Sequence, residues 1–161
     1  MADSRDNAGV IAPPPLLALA AVVLGLVLDW LLPLYVLATL LGSWARGFVG
    51  GVVITSGIAL AIAGRQRFVE AGTHVEPWKP SVRLVTAGVY QYVRNPMYVG
   101  LMLTVAGIGI ATAGDWTLVM IVPLAFALRT GVVLREERYL EAKFGEDYRR
   151  YKAKVSRWGI W

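Results

Sequence analysis

Four stretches of this 161-residue chain run almost free of charge for the length of a bilayer crossing. A transmembrane helix needs about 20 mostly apolar residues. The first run spans about Pro14 to Leu32 and is interrupted only by Asp29. The second spans about Arg46 to Ala63, the third about Pro96 to Ala113 and the fourth about Trp116 to Leu134. Pro33 to Ser43 is apolar but short, and reads as a re-entrant or interfacial connection. Ala113-Gly114-Asp115 separates the last two runs as a tight turn, with Asp115 as N-cap. Composition agrees: 57% of residues are apolar and 17% charged, where a soluble domain has about 45–50% and about 25%. The expected fold class is all-α, an integral membrane bundle of about four transmembrane helices followed by an amphipathic cytoplasmic helix over residues 136–155. A single domain over 1–161 is expected, with residues 1–12 as a flexible N-terminus.

The same composition excludes disorder over most of the chain and a large multidomain enzyme. There is no cysteine, so disulfides, thiolate metal sites, Cys nucleophiles and thioether or thioester lipid anchors are ruled out. One histidine leaves no His-rich metal site. Ala18-Leu19-Ala20 matches a signal-peptidase pattern, but the preceding segment carries Asp3, Arg5 and Asp6, and the apolar run continues past it. The run is therefore read as an uncleaved span.

The formal charge of +5 is distributed unevenly. With four spans, Arg5, Arg65, Arg67, Lys79, Arg83, Arg94 and every Lys or Arg from Arg135 to Arg157 fall on one side. Arg46 alone falls on the other, and Arg129 lies within the fourth span. The positive-inside rule places both termini and the 65–95 loop in the cytoplasm. The excess base is thus an orientation signal, and no nucleic-acid partner is expected. In the second span Ser43, Gly47, Gly51, Thr55, Ala59 and Ala63 recur every four residues. Such a stripe lets helix backbones approach closely, and packing within the monomer is expected ahead of a homodimer seam. Gly107-Ile108-Gly109 follows no strand and reads as helix packing rather than a nucleotide loop.

Polar chemistry gathers in two cytoplasmic segments. The first, Arg65 to Asn95, holds His74, Glu76, Trp78, Lys79 and Arg83, then Tyr90, Tyr92 and Arg94. Asn95 before Pro96 predicts a helix start, with Asn95 as side-chain cap and Pro96 at the first helical position. That start would aim free N–H groups and a positive dipole end at the cytoplasmic interface. Tyr90, Tyr92 and Tyr98 could equally form an interfacial aromatic belt. The second segment holds Glu136, Glu137 and Arg138, then Leu140, Phe144, Tyr148 and Tyr151 at helical spacing. A Glu pair at the cytoplasmic end of a span opposes the helix dipole. It is either neutralised by neighbouring arginines or held there for a cationic ligand.

Gly88-x-Tyr90-x-Tyr92-x-Arg94-Asn95-Pro96-Met97-Tyr98-x-Gly100, followed by Glu136-Glu137-Arg138-x-Leu140-x3-Phe144-Gly145-x2-Tyr148-x2-Tyr151, resembles the small integral-membrane methyltransferases. These are the isoprenylcysteine carboxyl methyltransferase and phospholipid methyltransferase group, and the resemblance covers about residues 46–158. It implies S-adenosylmethionine as methyl donor, bound on the cytoplasmic side. By position, Tyr90, Arg94, Asn95, Pro96, Tyr98 and Gly100 would shape the cofactor cleft. Glu136 and Glu137 would hold the donor's ammonium or order its ribose. Carboxyl methyltransferases of this group commonly have His where Asn95 stands, so the phospholipid branch and its bacterial members match better.

The implied reaction is methyl transfer to a lipid-like or amphipathic acceptor drawn from the bilayer: a phospholipid amine, a prenylcysteine carboxylate or a related small hydrophobic molecule. An amine acceptor must lose a proton, and His74, Glu76 or one of the paired glutamates could take it. Arg129 lies seven residues before Glu136, hence on nearly the same face of a regular helix. Glu136 is therefore expected to pair with an arginine and Glu137 to contact the donor. Two other readings are a membrane reductase of sterol-reductase type using NADPH, and a non-enzymatic scaffold or transporter. The first usually has more spans; the second should carry an ionisable site at mid-membrane.

Overall fold

The computed structural model describes residues 6–159, and among them there is no strand. Helix α1 (Pro14–Leu31), helix α3 (Ser43–Glu70) and the run from Asp115 to Phe144 are each long and apolar enough to cross a membrane. Helix α4 (Pro96–Thr112) is apolar and shorter, at 17 residues. The short α2 (Val36–Leu40) lies in the connection between α1 and α3. The integral helical bundle is the fold. Leu128, Val132, Val133 and Val105 are almost wholly enclosed, with Ala18 and Ala21 of α1 in the same cluster. Trp30, Leu40, Trp44, Val122 and Phe126 are turned outward, as expected of a bundle whose surroundings are as apolar as its core.

Helix α3 continues to Glu70, well beyond the expected end at Ala63. Nothing in Arg65-Gln66-Arg67-Phe68-Val69-Glu70 breaks a helix; polarity there marks the edge of the membrane, not of the helix. The stop is Gly72, at φ +64°. Thr73 N–H donates to Phe68 O (3.1 Å) and Gly72 N–H to Val69 O (3.0 Å), the paired bonds of a Schellman ending.

Among the described residues, five of the six members of the expected small-residue stripe are turned outward, and the sixth, Ala63, is part-buried. Ser43, Gly47, Gly51, Thr55 and Ala59 are exposed, and a Cβ on Gly47 or Gly51 would meet open space. The packing seam of α3 is instead Gly50, Gly57 and Gly64, seven residues apart. It faces α4 in the most extensive helix contact of the fold. A Cβ on Gly50 would stand 2.7 Å from Gly107 O, and one on Gly57 2.5 Å from Gly100 O. Gly107 is thus helix packing, as its context indicated.

Asp115 does not cap its own helix. It occupies the first position of α5 (Asp115–Val119), after Gly114. Its carboxylate accepts Val36 N–H (2.9 Å) and Leu37 N–H (3.0 Å), capping α2 across the fold. Asp29, at the end of α1, caps α5 in turn: its carboxylate accepts Trp116 N–H (2.9 Å), Thr117 N–H (3.3 Å) and the Thr117 hydroxyl (3.0 Å). Two acids that interrupt apolar runs therefore satisfy helix-start donors where water is scarce.

After α6 (Ile121–Leu128) comes a π turn, Arg129–Val133, and then α7 (Leu134–Phe144). The expected cytoplasmic helix over 136–155 is not separate: its first half prolongs the fourth span. The break falls at Gly145, φ +55°, before α8 (Glu146–Lys154). The expected free N-terminus lies partly outside the described residues. From Asp6 on, the chain is hydrogen-bonded to the rest of the fold.

Candidate functional site

The loop after α3, the start of α4, α7 and α8 enclose a cleft at the charged end of the bundle. A 3-10 turn, Gly88–Gln91, delivers Tyr90 to its wall. Of the residues singled out in the sequence, His74, Glu76, Tyr90, Arg94, Asn95, Tyr98, Glu136 and Glu137 all line it. Pro96 and Gly100 do not. Pro96 is buried at the first position of α4, beside Gly64, and Gly100 is turned to the backbone of Gly57 and Ala61. Both set how closely α3 and α4 approach, and so where the cleft wall stands.

Asn95 is not a side-chain cap. Helix α4 starts at Pro96 without a capping side-chain bond. The Asn95 amide instead donates to Arg157 O (3.1 Å), while Arg94 N–H donates to Ser156 O (3.0 Å). The segment after α8 is thereby stitched to the start of α4. The Tyr151 hydroxyl adds a bond to Tyr90 O (2.7 Å).

The Glu pair divides in the opposite sense from that expected. Glu137 is buried and bound by two arginines: Arg94 Nη1 (2.8 Å) and Arg157 Nε (2.8 Å) reach Oε1, and Arg157 Nη2 (2.8 Å) reaches Oε2. Glu136 accepts the Tyr98 hydroxyl (2.7 Å), and no cationic side chain pairs with it among the described residues. Arg129 is exposed and bonds to neither. The physical reason is the π turn that begins at Arg129. It spends more residues per turn than an α-helix, so counting by seven across it does not preserve the face.

Arg94 is nine-tenths buried, and its Nε has no hydrogen-bond partner among the described residues. The cleft thus offers one carboxylate without a cationic partner, and in its wall stands a buried guanidinium Nε without an acceptor, both among the described residues. Around them stand aromatic and apolar side chains: Phe68, Val85, Tyr90, Tyr98, Leu140 and Tyr148. Phe68 and Tyr90 meet edge to face, with centroids 5.5 Å apart. Burial, and secondarily the charge of Glu136, pushes the Tyr90 phenol well above its ordinary range. Burial likewise pushes Tyr148 up to about 12 and raises Tyr151. These hydroxyls stay protonated at neutral pH. His74 is exposed at the mouth, and Glu76 there is paired with Lys79 (2.9 Å). The Tyr90, Tyr92, Tyr98 set is not a belt: Tyr90 and Tyr98 are buried in the cleft wall, and Tyr92 alone is outward.

The residue that sequence reasoning missed is Arg157. It follows the last helix, in Val155-Ser156-Arg157-Trp158, with no periodicity to mark it. Its role arises only when the chain end folds back onto α4 and α7.

Known proteins resemble this chain over most of its length. Residues 45–147 match the family model of phospholipid methyltransferases. A protein-S-isoprenylcysteine O-methyltransferase of Schizosaccharomyces pombe is 28% identical over 122 residues, 70% of this chain and 52% of that protein. The cobalt-zinc-cadmium resistance protein CzcN of Cupriavidus metallidurans is 33% identical over 119 residues, 70% of this chain and 53% of its own. An uncharacterized protein of Haemophilus influenzae is 69% identical over 26 residues, 16% of this chain and 41% of that one. The chain spans about half the length of the curated relatives it matches, or less. No solved structure matches it. The matched region carries α3, α4, the Asn95-Pro96 start and the Glu136–Glu137 pair, and on that ground the chain belongs to the phospholipid methyltransferase family.

Proposed function

We propose that this protein binds S-adenosylmethionine in the cleft and transfers its methyl group to a lipid-like acceptor at the cytoplasmic membrane face. The observation that carries the reading is the unequal Glu pair. Glu137 is consumed by Arg94 and Arg157, whereas Glu136 lines the cleft with, among the described residues, the Tyr98 hydroxyl alone on it. The amino-acid end of the donor carries an ammonium and a carboxylate. Glu136 and the Arg94 guanidinium, both in the cleft lining, are complementary to those two groups, so the residues fit the donor. The tyrosine faces suit a sulfonium, which is drawn to the negative face of an aromatic ring.

When bound, the donor supplies an activated methyl group on a positively charged sulfur. What the chain supplies is placement and exclusion of water. The Glu137–Arg94–Arg157 cluster fixes the guanidinium that faces the cleft. Tyr98 holds the Glu136 carboxylate in one orientation. The rings of Phe68, Tyr90 and Tyr148 wall the site from solvent. An amine acceptor must release a proton. His74 stands exposed at the mouth with a nitrogen able to take it, and Glu76 stands there too, held by Lys79. Acceptors reach the cleft from the bilayer, past apolar helix surfaces that carry no polar selectivity of their own.

The direct experiment supplies the purified protein in native lipid extract with S-adenosylmethionine and searches by mass spectrometry for a lipid heavier by one CH2, about 14 Da. A product that requires both enzyme and donor supports the reading. Turnover of no lipid, with the donor intact, rejects it.

A further inference from the structure

The N-terminal segment reaches the cleft at Ala8 and is held at several points. Ile11 N–H donates to Gly131 O (3.1 Å) in the π turn, and the Ile11 side chain fills the space a Cβ on Gly131 would need. Arg135 Nη1 donates to Gly9 O (2.8 Å). Ala8 N–H donates to Pro77 O (3.2 Å) in the loop after α3, and both residues line the cleft. At the outer end the Asp6 carboxylate accepts the Tyr139 hydroxyl (2.8 Å) and Lys143 Nζ (2.7 Å). The same Tyr139 oxygen accepts Ser81 N–H (3.0 Å). One hydroxyl on α7 therefore ties together the N-terminal segment and the 71–87 loop.

We infer that residues 6–11 are a strap that closes the cleft and must be released for the small-molecule donor and its product to exchange. The bonds differ in a way that suits this use. The inner anchor at Ile11 and Gly131 is packed against a helix. The outer anchor is polar and solvent-facing, a kind of contact that opens at little cost and is screened by salt. The loop that shares the Tyr139 hydroxyl also carries His74 and Glu76. Release of the outer anchor therefore frees two walls at once. The inference rests on the reading of the cleft as a donor site, but access to the cleft can be measured without any donor.

The chain has no cysteine, so one introduced thiol reports alone. Leu140→Cys places it in the cleft wall, and labelling by a water-soluble maleimide measures access. Adding Asp6→Ala and Tyr139→Phe together should speed labelling roughly tenfold, since the pair removes the exposed Asp6–Tyr139, Asp6–Lys143 and Ser81–Tyr139 bonds of the outer anchor, each of small net worth. A Ser156→Cys control, buried after α8 and outside the cleft lining, should be indifferent to both changes. The same variants should release S-adenosylhomocysteine faster without a matching loss of thermal stability. Equal labelling rates with and without the outer anchor would overturn the strap. So would a rise shared by the Ser156 control, because that reports general loosening. Faster cleft labelling in a protein that binds no S-adenosylhomocysteine would leave the strap standing and remove the donor reading.

Discussion

A carboxylate enclosed between two guanidiniums is costly to disturb from either side, because removing one partner strands the charge of the other. Breaking such a buried pair costs about 3–5 kcal/mol. Glu137→Gln and Arg94→Ala should each destabilise the protein on that scale, read as a fall in melting temperature in detergent. Glu136 should behave differently. Its one side-chain bond among the described residues is to Tyr98, so Glu136→Gln should leave melting nearly unchanged. Loss of a charge-assisted contact worth about 1.5–3 kcal/mol weakens donor binding by about 10- to 150-fold. Equal melting losses in the two Glu variants would contradict the division of roles. Asn95 allows a sharper substitution. Aspartate caps a helix as well as asparagine does but cannot donate to Arg157 O. Asn95→Asp should therefore destabilise by about 1–3 kcal/mol, the cost of an unsatisfied buried acceptor; a neutral or stabilising result would restore the capping role. The sequence pointed to the residues of this site through the motif. It could not assign them partners, because Arg157 reaches Glu137 across 20 positions and Arg94 across 43. The order of the two glutamates turned on a π turn that no residue pattern marks.

Helix α3 shows how one element can carry two faces of small residues and use only one. Gly57 abuts the backbone of α4, and a Cβ there would stand 2.8 Å from Thr104 N. Gly57→Val should force α3 and α4 apart at a cost of about 1–3 kcal/mol or more. It should also lower donor binding, since α4 carries the cleft wall from Arg94 to Tyr98. Gly51→Val, on the outward face, should change stability by no more than about 0.5 kcal/mol. Differential scanning of the two variants side by side checks the assignment. A Gly51 variant as damaged as the Gly57 variant would show that the outward face is packed after all. In the sequence the stripe at spacing four stood out and the glycines at spacing seven did not, because the choice between faces needed the partner helix. Helix existence was legible because hydrophobic length alone dictates it. Helix ends were less so. Charge located the membrane edge, whereas Gly72 and Gly145, both at positive φ, located the ends of the helices.

At the scale of the whole molecule, a bundle of apolar helices carries almost all its basic residues at the end where the cleft opens. The proposed orientation, with both termini and the cleft in the cytoplasm, follows from that asymmetry. Reporter fusions after Ala113 and after Trp161 should report opposite sides, and the same side for both would contradict the orientation. The positive-inside pattern needs only composition and span order. The cleft needs the whole fold, because its walls come from the N-terminal segment, the loop after α3, the start of α4, α7 and α8 together. The central claim is that this composite cleft is a methyl-donor site. Calorimetric titration of S-adenosylhomocysteine into the full-length protein in lipid nanodiscs, beside the folded Glu136→Gln variant, tests it most directly. The account predicts saturable binding at one site per chain in the unaltered protein, weakened at least about tenfold by Glu136→Gln. No binding to the unaltered protein, or equal binding to both, would contradict it.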